Sequence, residues 1–92
     1  MISIQFPNSS RSFDESKNRI CFWGYDKSME VSFYVGAEAI QKMRKGVGSA
    51  EVELLAAFDA ALDKIHEVAA KVYSKSSRGK GTYTYILCAD DF

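Results

Sequence analysis

Four groups of residues have types and spacing that could do chemistry. The first surrounds His66, the chain's only histidine. Asp59, Asp63 and Glu67 follow one another at intervals of four, and His66 comes three after Asp63. An Asp-to-His spacing of three on a helix can present two ligands to a divalent metal. A catalytic zinc would want two more nitrogen or sulfur ligands, and none stands at a recognisable spacing. Glu67 and Lys71, four apart, point instead to a solvated, salt-bridged helix face. The expectation is no metal and no cofactor.

The second group is Cys21 or Cys88 with His66 and an acid, the raw materials of a nucleophilic triad. No nucleophile elbow and no local Cys-His signature accompanies them. Neither cysteine is expected to be catalytic, and the chain is not read as an enzyme. Both are taken as small buried hydrophobes of a reducing compartment, with a disulfide or reactive pair as the alternative.

The third group is the basic turn over residues 75–81, with Lys75, Arg78 and Lys80, followed by Tyr83 and Tyr85. Cations and glycine amides can hold phosphate, and tyrosines can stack bases. The order is not that of a phosphate-binding loop, and the turn follows a helix C-terminus, whose dipole repels anions. A solvated helix-ending turn is the leading reading. Weak nucleic-acid or anion contact through Lys75, Arg78, Lys80 and Tyr83 is the alternative.

The fourth group is aromatic. Strand alternation puts Cys21, Trp23, Tyr25 and Tyr34 on one face of a sheet, with Ser3, Gln5, Glu30 and Ser32 around them. Tryptophan and tyrosine combine a large apolar body with a polar handle and are enriched at protein interfaces. Two readings stay open. The face is a contact surface with Trp23, Tyr25 and Tyr34 as anchors, or the N-terminal loop, the short helix or the tail covers it. Base stacking is a third, weaker reading, because only Arg19 adds positive charge there.

These groups need elements to position them. From about Ser49 to Lys75 the chain reads as one long helix. Leu54, Phe58, Ala61, Leu62, Ile65, Ala69 and Val72 recur three or four apart, the period of a single helical face. The interior lacks Gly and Pro, Ser49 is the expected N-cap, and Gly79 and Gly81 end the helix. At 1.5 Å per residue it would run roughly 40 Å. Strands are expected at Met1–Phe6, Arg19–Tyr25, Met29–Val35 and Thr82–Cys88, the middle two as a hairpin. Residues 8–18 read as a loop anchored by Phe13, and Ala37–Lys45 as a short helix. The last strand is expected beside one of the N-terminal strands, and the sequence leaves open which.

The order β-β-β-α-α-β gives α+β: a two-layer fold, a mainly antiparallel four-stranded sheet with one long helix across one face. With 92 residues, 47% of them hydrophobic, the chain has material for one domain over 1–92. Twelve basic residues balance twelve acidic ones, which argues against a protein that coats nucleic acid. No apolar run reaches the roughly 20 residues of a membrane span, and the first residues lack a signal peptide's pattern. The expected location is cytoplasmic.

ISIQFPN near the start, VSFYVGAEAIQKM, FDAALDKIHEVAAKVY and the closing TYTYILC together resemble a small bacterial family catalogued as domain of unknown function 1488. The resemblance spans nearly the whole chain. It implies a two-layer α+β fold in bacterial cytoplasm, and it carries no activity and no functional residues. In place of the Ser or Thr expected to cap the short helix stands Gly36-Ala37. The functional expectation is a small domain that acts by protein contact, as a homodimer or as a regulatory or adaptor module. Nucleic-acid binding through the basic turn is the alternative, and a small-molecule enzyme ranks third.

Overall fold

The structure is a computed structural model that describes residues 4–7, 11–27, 29–48, 50–76 and 84–92. Its elements are β1 (Arg11–Asp14), β2 (Arg19–Asp26), β3 (Met29–Gly36), α1 (Ala37–Met43), α2 (Glu51–Ala60), α3 (Leu62–Ser76) and β4 (Thr84–Leu87). A short 3-10 turn follows over Ala89–Asp91. The α+β architecture expected from the element order is present. The strands lie in the order β1-β2-β3-β4. The first two pairings are antiparallel and the third is parallel.

The β2–β3 hairpin closes tightly, because Asp26 pairs with Met29. Lys27 takes a left-handed conformation (φ 60°), which two-residue hairpin turns require of their first central residue. β4 lies beside β3, the last of the strands that precede the helices, and runs parallel to it. The reason is the connection: β3 and β4 are separated by the whole helical layer. A crossover of that kind returns the chain to the same end of the sheet and makes the pair parallel.

The other edge differs from expectation. The stretch read as a loop contains β1, and Phe13 is an anchor because it pairs with Ile20 and packs on the core. Of the expected Met1–Phe6 strand, residues 1–3 lie outside the described residues. Gln5 makes an isolated antiparallel bridge to Tyr25, with two backbone bonds of 2.8 Å. Ile4 and Phe6 flank it and fold over Gly24, where a Cβ would come within 2.7 Å of the Phe6 ring. Glycine at that position is thus a condition for the close approach.

The predicted long helix is interrupted at Ala61, whose backbone (φ −108°, ψ 18°) leaves helical values. Helical hydrogen bonds still reach Ala61 from both sides: its amide donates to Ala57, and that of Ile65 donates to Ala61. The apolar stripe holds across the break. Leu54, Phe58, Ile65 and Ala69 are fully buried, and Ala57, Val68 and Tyr73 join them. No Gly or Pro marks the position. Two contacts to the N-terminal edge bracket it instead. Arg11 makes a bidentate pair with Asp59 at 2.9 Å, and His66 stacks on Phe6 with ring centroids 4.2 Å apart.

The helix starts are satisfied without side-chain caps. The expected cap Ser49 lies outside the described residues, and the N-cap of α2 is Ala50. The Glu53 carboxylate reaches back and accepts the Gly48 amide at 3.1 Å. At α1, Gly36 occupies the cap, and the Ala37 amide donates to the Asn18 carbonyl at 3.3 Å. The core forms between the helices and one sheet face: Ile20 and Phe22, Val31, Phe33 and Val35, and Tyr85 and Leu87 from the strands meet Ile40, Leu54, Phe58 and Ile65.

Candidate functional site: the open sheet face

Alternation along each strand leaves a second set of side chains opposite the core. Strand register arranges them in rows. Asp14 pairs with Arg19. Ser12, Cys21, Tyr34 and Ile86 cross all four strands in the next row. Trp23, Ser32 and Thr84 follow, then Tyr25 and Glu30. The buried core residues of the strands sit on the opposite side, except Cys21, which is 9% exposed. Trp23, Tyr25 and Tyr34 are half-buried among their own neighbours, and Ile86 is 59% exposed. Among the described residues no helix packs on this face. The three predicted anchors therefore stand together on one surface.

The polar groups of the face are tied to one another. The Arg19 guanidinium lies 3.8 Å over the centre of the Tyr34 ring and donates to Asp14 at 3.2 Å. Asp14 also accepts the Ser16 hydroxyl at 2.7 Å, and these bonds hold its carboxyl below the usual range, the Ser16 bond most strongly. Tyr25 donates to Glu30 at 3.1 Å, which raises the Tyr25 hydroxyl. Burial pushes the Cys21 thiol up, and a hydrogen bond with Tyr34 partly offsets this. The Tyr34 hydroxyl is raised by the neighbouring Cys21. These contacts hold the Tyr25 and Tyr34 rings in place on the face. The Trp23 indole N–H has no hydrogen-bond partner among the described residues.

The remaining candidates are dispersed. Cys21 faces the open side, while His66 lies within the helical layer against Phe6 and Phe22, so the sheet separates thiol from imidazole. Both cysteines are free, and Cys88 is exposed, not buried as expected. His66 departs from its predicted solvated face. It is half-buried, and burial lowers its pKa despite the opposing charge of Asp63. Asp59 is engaged by Arg11, and Glu67 accepts from Lys64 at 3.4 Å. No cluster of metal-ligating side chains forms among the described residues. In the basic turn Lys75 is exposed at the end of α3, while Arg78, Lys80 and Tyr83 lie outside the described residues. Tyr85 is buried and stacks on Phe33 at 5.6 Å, so it faces the core and is not available to bases.

Sequence reading overlooked Ile86 and the Arg19–Tyr34 stack. The alternation of TYTYILC held the signal for Ile86: once Tyr85 and Leu87 face inward, Ile86 faces out.

The family described as "Protein of unknown function (DUF1488)" matches residues 4–87. The chain belongs to the DUF1488 family. A crystal structure of a DUF1488 protein of unknown function from Shewanella loihica PV-4 has the same fold. Its TM-score is 0.72 at 19% identity, and the likeness covers 91% of this chain and 92% of that one. At such identity the likeness shows the fold alone. No curated protein matches this DUF1488 chain. Among the described residues no helix is long and apolar enough to cross a membrane.

Proposed function

We propose that this protein acts by contact with another protein chain, through the open sheet face, with Trp23, Tyr25 and Tyr34 as anchors. The observation that carries the reading is an aromatic surface, flanked by the exposed Ile86, on the side of the sheet away from the helices. Large rings with a polar tip are the usual makings of an interface hot spot. Electrostatics favours protein over nucleic acid: among the described residues the cation within the strands of this face, Arg19, is already held by Asp14 and Tyr34. A second copy of the chain is the first partner to test, since zero formal net charge leaves no long-range repulsion between copies. A regulatory or adaptor role fits the same surface. Two free cysteines support a reducing, cytoplasmic setting.

Trp23 is the chain's only tryptophan, so its fluorescence reports on this face alone. Light scattering over a concentration series should give twice the 10.3 kDa chain mass for the wild type. Trp23 should become protected from iodide quenching over the same range. Tyr25→Ser combined with Tyr34→Ser should return the monomer with circular dichroism unchanged. A monomer at every concentration, with Trp23 fully open to iodide, would sink the self-contact.

A further inference from the structure

We infer that the cavity between the end of α1 and the start of α3 binds a small organic anion, with a phosphate or carboxylate head and an apolar body. The cavity holds about 360 Å³ and is lined by Lys42, Met43, Arg44, Ala61, Lys64 and Phe92. Half of these residues are cations and none has an acidic side chain, although Phe92 brings the carboxylate that ends the described chain. The other half are apolar. Its size lies near the lower end of small-molecule sites, roughly 300–1,000 Å³, enough for one ring and a head group.

The cations are free to act. Arg44 has no hydrogen-bond or ion-pair partner for its side chain among the described residues. Its planar fork matches a carboxylate or phosphate edge. Lys42 spends one of its three donors on the Ala89 carbonyl at 2.9 Å. Lys64 meets Glu67 at 3.4 Å in an exposed pair, the kind a bound anion readily displaces. The acids nearby do not line the cavity. Asp91 accepts the Cys88 amide at 2.7 Å, and Asp90 is exposed on the same turn.

The interruption of the long helix falls at this place. Ala61, where the backbone leaves helical values, is one of the lining residues. The carbonyl end of α1 and the Phe92 carboxylate oppose an anion, but one full negative charge and the partial charges of a seven-residue helix stand against three cations. Bare inorganic ions would leave the surfaces of Met43, Ala61 and Phe92 unused, hence the apolar body.

Amide chemical shifts of the full chain, titrated separately with phenyl phosphate, benzoate and inorganic phosphate, test this. Saturable shifts are expected at Arg44, Ala61, Lys64 and Phe92 with phenyl phosphate, benzoate or both, and the arm that binds more tightly names the head group. Arg44→Gln and Lys64→Gln should each weaken binding about tenfold, the loss of one charge-assisted bond. Lys17→Gln, outside this cavity, should leave it unchanged. No saturable shift with either organic anion overturns the assignment. So does equal binding of inorganic phosphate, or an affinity that Arg44→Gln does not change.

Discussion

The two faces of the sheet draw on the same four strands, and both are rich in large rings. The covered face uses phenylalanine: Phe22 and Phe33 stack at 5.3 Å, with Phe6 and Phe58 tilted against them. The open face uses Trp23, Tyr25 and Tyr34. A phenyl ring has no polar atom to satisfy and gains by leaving water altogether. A tyrosine or tryptophan keeps a hydrogen-bonding handle and tolerates a boundary. Tyrosine also enters the covered side: Tyr85 stacks on Phe33, and Tyr73 donates its hydroxyl to Asp26 at the sheet's end. Ring chemistry, more than hydrophobicity, thus divides the surface that folds the protein from the surface we assign to partners.

Truncating rings on the two faces should break the comparison most directly. Phe22→Ala should cost about 3–5 kcal/mol in urea unfolding, the range for buried phenylalanine. Trp23→Ala should cost less than half as much, and its larger effect should be on association. Equal losses of monomer stability would mean that Trp23 is core and that the open face is no interface.

Next in size is the contact that seals the covered face. Gly24→Ala places a methyl group 2.7 Å from Phe6 and should destabilise by about 1–3 kcal/mol through overpacking. Combining it with Phe6→Leu should cost less than the sum of the two single changes. Full additivity would show that Phe6 does not lie over Gly24 in solution.

The Arg11–Asp59 pair, which ties β1 to α2 at the rim, should count for less. Both side chains are partly exposed, so a double-mutant cycle should yield about 0.5–1 kcal/mol, falling with salt. A salt-independent coupling would imply a drier rim than this.

The smallest effect is one of pH. Burial against Phe6 lowers the pKa of His66 below its ordinary 6.5, and Asp63 opposes only in part. The folded state then binds protons less readily than the unfolded chain. The His66 contribution is fully present above about 6.5 and is lost as pH falls toward the lowered value. His66→Phe should flatten that part of the stability curve and keep the stacked ring. An unchanged slope would place the titration elsewhere.

Much of this layout was legible in the residues. Val31, Phe33 and Val35 alternate with Ser32 and Tyr34, and a strand has only two faces, so the partition into core and open side followed from period two. The helical stripe from Leu54 to Ala69 followed from period 3.6. β1 escaped because Arg-Ser-Phe-Asp shows no apolar alternation. It is a strand because β2 offers it a ladder and Phe13 a place on Ile20. The basic cavity escaped because Arg44 follows the end of α1 while Lys64 lies in α3, and no spacing along the chain relates them.

By itself the sequence determined which side chains of β2 and β3 share a face, where the hairpin turns, and that the hairpin precedes the helices. These depend on backbone periodicity and on local turn chemistry, which act between near neighbours. Only the tertiary structure decided the rest. It set β4 parallel to β3, broke the long helix at Ala61, turned His66 onto Phe6, and gathered three cations around Ala61. Each of these outcomes depends on packing and charge contacts between residues far apart in the chain, where local preference is weak and burial decides.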